Sequence, residues 1–471
     1  MNSPHPRIQY GAVTVLLALN LALKLNWCGA NELAGDEPFT VYWAQRPLAD
    51  LFGMLRTENN PPLYFLLMHY WSMLVPLEAA WLRVPSAVFS ALTVWPLFLL
   101  GKRMGGNAAG FTAALLFTFS QHSFQFAHET RAYSLLVLAC TWAVWQLVRM
   151  ADSPRHPSLR PASIIWLVAA NTLATWVHYF GWLMVGLELV MAFAVASLRP
   201  ARAKMLAAAA ITVVLNIPLL GILSARAGAS LGHGTWLPAP TWEEPYNMIL
   251  RWSNAPVVAV IFLCVIAWAY AARRSRALGM AALWCAVPLV SMFLVSFVFP
   301  IYLDRYLLFA SIGFYLLLAQ ASFGCILPRL PVWTIPAGCV IAMAATFAPW
   351  RANSLHPSRV AAQVGAWSTK GTAVIIQPDW YGLTYAWALS PQYFVGAAPV
   401  DIALKEHGIF PVTGTAMPKM DSSCTNVVHV DAWAALSDPE NAVLRELRAR
   451  YQQTDSAEAD KKVLVRRFQA R

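Results

Sequence analysis

The chain has 471 residues, of which 58% are hydrophobic, 13% aromatic and only 12% charged, with a formal net charge of +11. Soluble domains carry about 25% charged residues, so this composition excludes an ordinary soluble protein, and its aromatic content excludes a disordered one. Seven cysteines and 24 glycines, spread without period, exclude disulfide-rich and collagen-like chains and leave an integral membrane protein.

Apolar runs of about 17 to 25 residues are long enough to cross a hydrocarbon core. In chain order they fall at 8–27, 81–101, 107–122, 132–149, 163–179, 181–198, 205–223, 255–271, 278–299, 305–327 and 332–349, which predicts eleven spans. The first contains Lys24 and is followed by no small-residue cleavage site, so it reads as a retained anchor. Basic residues mark alternate connections: Lys102 and Arg103; Arg149, Arg155 and Arg160; Arg199, Arg202 and Lys204; Arg273, Arg274 and Arg276; Arg329. By the positive-inside rule these face the cytoplasm, which puts the N-terminus inside and the C-terminus outside. The positive charge is thereby accounted for by topology, with no nucleic-acid partner.

Between the first two spans, residues 28–80 form one large external element. Its run Pro61–Val75 would flip every later loop if it crossed the membrane, so it is expected as an interfacial helix beginning at Pro61-Pro62. Shorter surface helices are expected over Glu37–Arg46 and Leu48–Leu55. Ser224–Asn254, with its Gly, Pro and Trp, is expected as an ordered external loop. Residues 1–350 would be the transmembrane domain and 351–471 a soluble extracytoplasmic α/β domain. In the latter, Thr372–Gln377, Asn426–Val430 and Lys462–Phe468 read as strands and Pro439–Tyr451 as a helix. Only Cys28 and Cys424 fall in external segments, and spacing leaves their pairing open.

Ionisable groups are rare, and four sets lie at the outer ends of spans: Asp36 and Glu37 in "GDEPFT", Arg83 in "WLRVPSA", Glu129 and Arg131 in "HETRAYS", and Asp304 and Arg305 in "YLDRYLL". A partly desolvated carboxylate can take a proton from an attacking hydroxyl, and arginines at headgroup depth can hold a phosphate by paired hydrogen bonds. That combination suits sugar transfer from a lipid phosphate to an external hydroxyl. The leaving phosphate departs as an anion, so one base is enough, in contrast to the two carboxylates of a glycosidase. Taken singly, the arginines also fit snorkelling anchors, an Asp-Glu pair fits a solvated loop, and Tyr64, Tyr133 and Tyr306 fit an interfacial belt. His69, His128 and His178 match metal ligands by type alone and lack ligand spacing.

The ordered set "DE" after the first span, "NNPPLYF", "RVPSAVFSALTVWPLFLLGKRMGG", "HETRAYSLLVL" and "DRYLLFA" resembles the GT-C glycosyltransferases. Within them it resembles the protein O-mannosyltransferase and aminoarabinose transferase group, strongly over residues 25–150 and again near 302–310. The resemblance implies a polytopic α-helical GT-C membrane fold and an inverting, metal-independent transfer from a polyprenyl-phosphate sugar, with no cofactor besides that substrate. On this analogy Asp36 is the general base, and Glu37 orients the acceptor or holds the loop. Arg131 contacts the donor phosphate, Arg305 and Arg83 are further donor contacts, and Asn60, Tyr64, Glu129, Tyr133 and Asp304 shape the site. Members commonly carry His before the Pro-Pro-Leu-Tyr run, where this chain has Asn59-Asn60. Asn60 can bond a sugar hydroxyl but cannot change charge. The C-terminal domain does not resemble the β-trefoil of the eukaryotic mannosyltransferases.

The expected function is therefore transfer of a single sugar to a lipid, protein or glycan acceptor at the periplasmic face of a bacterial inner membrane. The alternatives are a non-catalytic transporter or flippase for a lipid-linked sugar, and a GT-C polymerase or ligase. Transporters tend to place charge at the midplane on broken helices in paired halves, whereas here the charge clusters at one face.

Overall fold

The computed structural model describes residues 6–152, 160–233, 237–272, 276–325, 327–351, 355–396, 398–420 and 424–471. Arg155, Arg273 and Arg274 of the basic connections lie outside them. Among the described residues, seventeen α-helices precede residue 351. They are α1 (Pro6–Trp27), α2 (Glu37–Ala44), α3 (Leu48–Leu55), α4 (Pro62–Ser72), α5 (Ala79–Leu92), α6 (Val94–Thr118), α7 (Gln121–Ala127), α8 (Tyr133–Asp152) and α9 (Arg160–Val177). There follow α10 (Gly181–Ala194), α11 (Arg202–Leu215), α12 (Ile217–His233), α13 (Glu244–Trp252), α14 (Pro256–Ala272), α15 (Arg276–Val295), α16 (Ala310–Gly324) and α17 (Thr334–Thr346). The chain packs as two compact units. One comprises Met1–Cys28, Ala49–Leu66 and Arg83–Trp350; the other comprises Gly29–Leu48, Leu67–Leu82 and Arg351–Arg471.

Among the described residues, four helical stretches are long and apolar enough to cross a membrane, or six when two bent pairs each count as one span. Length and composition alone therefore give fewer spans than the eleven expected. One of the four, Ala79–Thr118, contains a reversal. Gly106 (φ 88°, ψ 178°) leaves the helical region inside α6, and the Phe98 and Phe111 rings are 4.8 Å apart. Thirteen residues of straight helix would separate those rings by about 20 Å, so the helix doubles back at "GKRMGGN". Gly101 and Gly110 make this possible, because a Cβ at Gly110 would lie 2.7 Å from the Phe98 carbonyl oxygen. Lys102 and Arg103 thus sit at a hairpin turn between two apolar helices, where the sequence placed them.

The expected loop over Ser224–Asn254 is largely helical instead, formed by the end of α12 and by α13. Its Gly and Pro residues misled the sequence assignment: Pro245 sits in the first turn of α13, where a missing N–H costs nothing. Beyond α13, the chain bends by 95° into α14. Asn254 makes the corner with φ 64°, a conformation that Asn tolerates. Its side chain accepts from the Gln121 amide at 2.8 Å and donates to the Phe119 and Met343 carbonyls at 2.8 and 3.1 Å. One amide thereby ties the start of α7 to α17.

In the second unit, Arg46, two residues past α2, donates to the Gly396 and Ala398 carbonyls at 3.0 and 3.3 Å and lies over the Tyr42 ring of that helix. Tyr42 in turn meets Phe394 edge-on at 5.5 Å. The C-terminal segment runs α18 (Pro357–Trp367), β1 (Ala373–Gln377), α19 (Tyr381–Leu389), α20 (Gln392–Val395), α21 (Val400–Glu406), β2 (Ile409–Pro411), β3 (Asn426–Ala432), α22 (Ala442–Arg450), β4 (Tyr451–Asp460) and β5 (Val463–Ala470). The sheet order is β2-β1-β3-β5-β4, with β2, β1 and β3 parallel and β5 and β4 antiparallel to their neighbours. Ile375, Val427 and Phe468 bury one face against Val443 and Leu447 of α22. Three expected strands and the helix are present. β4, "YQQTDSAEAD", is a strand the sequence reading missed, because its polar residues carry no strand pattern and it is held by the β5 ladder. Cys28 and Cys424 are both thiols, and no disulfide joins them.

Candidate active site

In the first unit the segment 119–132 carries Glu129 and Arg131, and its course is fixed at both ends. Ser120 caps α7 by accepting the Ser123 amide at 3.1 Å, and its hydroxyl also accepts from Tyr315 at 2.6 Å. Past α7, His128 Nε2 donates to the Lys24 carbonyl at 2.7 Å. Burial pulls the His128 pKa down to about 4, so this ring is neutral at physiological pH and acts as a structural donor.

One face of α5 supplies the next layer. Arg83, Ser86 and Ser90 recur at helical spacing and are all buried. Arg83 is fully buried and donates Nη1 to the Cys28 carbonyl at 3.0 Å, while Ser90 accepts from Lys24 Nζ at 2.6 Å. Ser86 shares a 2.9 Å hydrogen bond with the Tyr64 hydroxyl and donates to the Arg131 carbonyl at 3.3 Å. Tyr64 and Tyr133 are therefore not belt residues: both are 2% exposed, because the protein itself supplies their surroundings.

Arg131 stands just before α8, which begins at Tyr133, so its guanidinium adds to the positive end of that helix. It is buried, donates Nη2 to Asn60 Oδ1 at 3.3 Å and lies 5.9 Å from the Tyr133 ring centroid. Tyr133 faces His178 at 5.7 Å, and His178 stacks on Phe180 at 5.4 Å and meets Tyr306 at 5.3 Å. Arg305 lies 5.6 Å from the Tyr306 ring centroid. Both Arg131 and Arg305 lie within electrostatic reach of His178. The structure thus brings Asn60, Tyr64, Arg131, Tyr133 and Arg305 into one assembly around an aromatic centre. Glu129 is half-buried beside it in sequence.

Asp304 is occupied locally: Oδ2 pairs with Arg251 at 2.5 Å and Oδ1 accepts the Arg305 amide at 2.8 Å. This fixes the short 3₁₀ turn Asp304–Leu307 and so the direction of Arg305. Arg251, His178, Phe180 and Tyr306 were not singled out by the sequence as a set. They lie on three different helix ends, and only folding makes them neighbours. Among the described residues no three His, Cys, Asp or Glu side chains gather to hold a metal ion.

The acidic pair belongs to the second unit. Gly35, at φ 61°, turns the chain into α2, and Pro38 lies in its first turn. Asp36 takes the N-cap position with its side chain not spent on capping, and it is exposed. Glu37, next to it, is 3% exposed.

No protein-family model matches the sequence, and no curated protein matches it. Solved structures do match in fold. ArnT from Cupriavidus metallidurans bound to undecaprenyl phosphate superposes with a TM-score of 0.60 at 14% identity, over 97% of this chain and 98% of that one. The archaeal oligosaccharyltransferase AglB from Archaeoglobus fulgidus, in complex with an inhibitory peptide and a dolichol-phosphate, gives 0.52 at 11% identity, over 94% and 72%. The fold is that of the GT-C membrane glycosyltransferases. Apolar helices long enough to cross a membrane accord with that fold.

Proposed function

We propose that this GT-C chain moves one sugar from a polyprenyl-phosphate carrier to an acceptor hydroxyl on the extracytoplasmic side of a bacterial inner membrane. The observation that carries the proposal is the pair of guanidiniums, Arg131 beside the Tyr133 ring and Arg305 beside the Tyr306 ring, both within electrostatic reach of His178 near the start of α8. That arrangement suits an anionic headgroup attached to an apolar chain, and the similar ArnT structure holds undecaprenyl phosphate.

In the proposed step Asp36 accepts the proton of the acceptor hydroxyl as its oxygen attacks the anomeric carbon. The bond from that carbon to the phosphate oxygen breaks, its electron pair stays on the phosphate, and the configuration inverts. Arg131 and Arg305 stabilise the second negative charge that the phosphate gains. Glu37 orients the acceptor or holds the α2 loop, Asn60 and Tyr64 shape the sugar pocket, and Arg83 acts through the backbone it holds. Reconstituted chain supplied with a polyprenyl-phosphate sugar tests the whole: Asp36→Asn should lower donor consumption by about 100-fold or more, as expected for loss of a general base. Undiminished consumption by folded Asp36→Asn protein removes the base. Donor movement across vesicles with no product formed points instead to a transporter.

A further inference from the structure

The aromatic centre near the two arginines contains one group with unused chemistry. His178 lies in the turn between α9 and α10, 6% exposed, packed against Tyr133, Phe180 and Tyr306. A histidine in such a cage is ordinarily a packing residue. Here its hydrogen bonding is directional: the Phe180 amide donates to Nδ1 at 3.2 Å. Nδ1 is therefore the unprotonated nitrogen, and the neutral ring carries its proton on Nε2. Nε2 has no hydrogen-bond partner among the described residues. An N–H with a fixed tautomer, in a rigid ring, lies within electrostatic reach of two guanidiniums.

We infer that His178 donates its Nε2–H to the carrier's phosphate, as an uncharged third ligand alongside Arg131 and Arg305. This rests on the sugar-transfer proposal and deepens it. Breaking the bond to the anomeric carbon takes the phosphate from one negative charge to two, and a pre-aimed donor gains strength at that moment. Like the two guanidiniums, it contributes to phosphate binding and contributes nothing to binding of the apolar chain. The caging rings hold its direction, so ordering it costs little when the phosphate arrives.

The test uses the full chain in nanodiscs, with undecaprenyl phosphate and undecaprenol as probes. His178→Phe keeps a stacking ring and removes the donor; His178→Gln keeps an N–H near the position of Nε2. The expected result is about tenfold weaker undecaprenyl phosphate binding for the Phe variant, equivalent to about 1.4 kcal/mol, with undecaprenol binding unchanged and the Gln variant within about threefold of wild type on the same scale. Equal weakening of both probes, or equal loss in the Phe and Gln variants, makes His178 a packing residue and overturns the inference. Arg131→Ala separates the two levels. If Arg131→Ala weakens phosphate binding and His178→Phe does not, only the His178 assignment falls; if neither does, the phosphate site itself is wrong.

Discussion

Removing the Arg131 guanidinium is the sharpest perturbation of the proposed donor site. The side chain is 9% exposed, so bulk solvent screens it poorly, and it starts from a hydrogen bond to Asn60 rather than from free rotation. Opposite unit charges 4 Å apart attract by about 4 kcal/mol at an effective dielectric of about 20. Desolvating the phosphate offsets much of that, and the net worth of a hydrogen bond to a charged group is about 1.5–3 kcal/mol. Arg131→Ala should therefore weaken undecaprenyl phosphate binding by about 10- to 150-fold. Arg131→Lys, which keeps the charge but loses the planar fork, should fall between the two. The assay is a calorimetric titration of purified chain in nanodiscs at low and high salt, with a thermal melt to show that each variant is folded. Because the group is buried, the difference between wild type and Ala should persist at high salt. Folded Arg131→Ala protein that binds the phosphate as wild type does would refute the assignment.

Arg305 is half-buried and nearer solvent, so Arg305→Ala should cost less than Arg131→Ala in the same titration; a larger loss would mean that Arg305 is the main phosphate ligand. Gly110→Val would push a side chain into the Phe98 carbonyl at the α6 hairpin, where even a Cβ comes within 2.7 Å. Overpacking of this kind costs about 1–3 kcal/mol, read as a lower melting temperature, and an unchanged melt would show the hairpin to be looser than described. In the C-terminal unit burial holds the His429 pKa down at about 4, against an ordinary value of 6.5. The unfolded chain thus takes up a proton below about pH 6.5 that the folded ring refuses until about pH 4, so stability falls as pH falls through that window. The loss is of order 3 kcal/mol. Hydrogen exchange of the peptide covering β3 should speed up across that range beyond the intrinsic pH effect, and His429→Gln should flatten the trend; a flat wild-type profile would contradict the burial argument.

Much of this protein was legible in one dimension. Membrane character follows from 12% charge among long apolar runs, since charge in hydrocarbon is costly enough to shape composition everywhere. Helix starts at Glu37, Leu48 and Pro62 were readable from proline and turn residues, because capping is a local effect. Rare charges at span ends also singled out Arg131 and Arg305, which the fold brings within electrostatic reach of one histidine.

Tertiary structure alone decided the rest. Tyr64 and Tyr133 look like belt residues in sequence, and only the packing of α5 and the segment before α8 buries them. β4 is a strand because β5 lies beside it, which a polar ten-residue segment cannot announce. His178 gains its fixed tautomer from Phe180, two residues on, but its nearness to Arg131 and Arg305 comes from groups 47 and 127 positions away in the sequence. Spacing along a chain encodes local geometry and hydrophobic burial; the convergence of distant polar groups is set by how whole helices pack, and no short pattern records it.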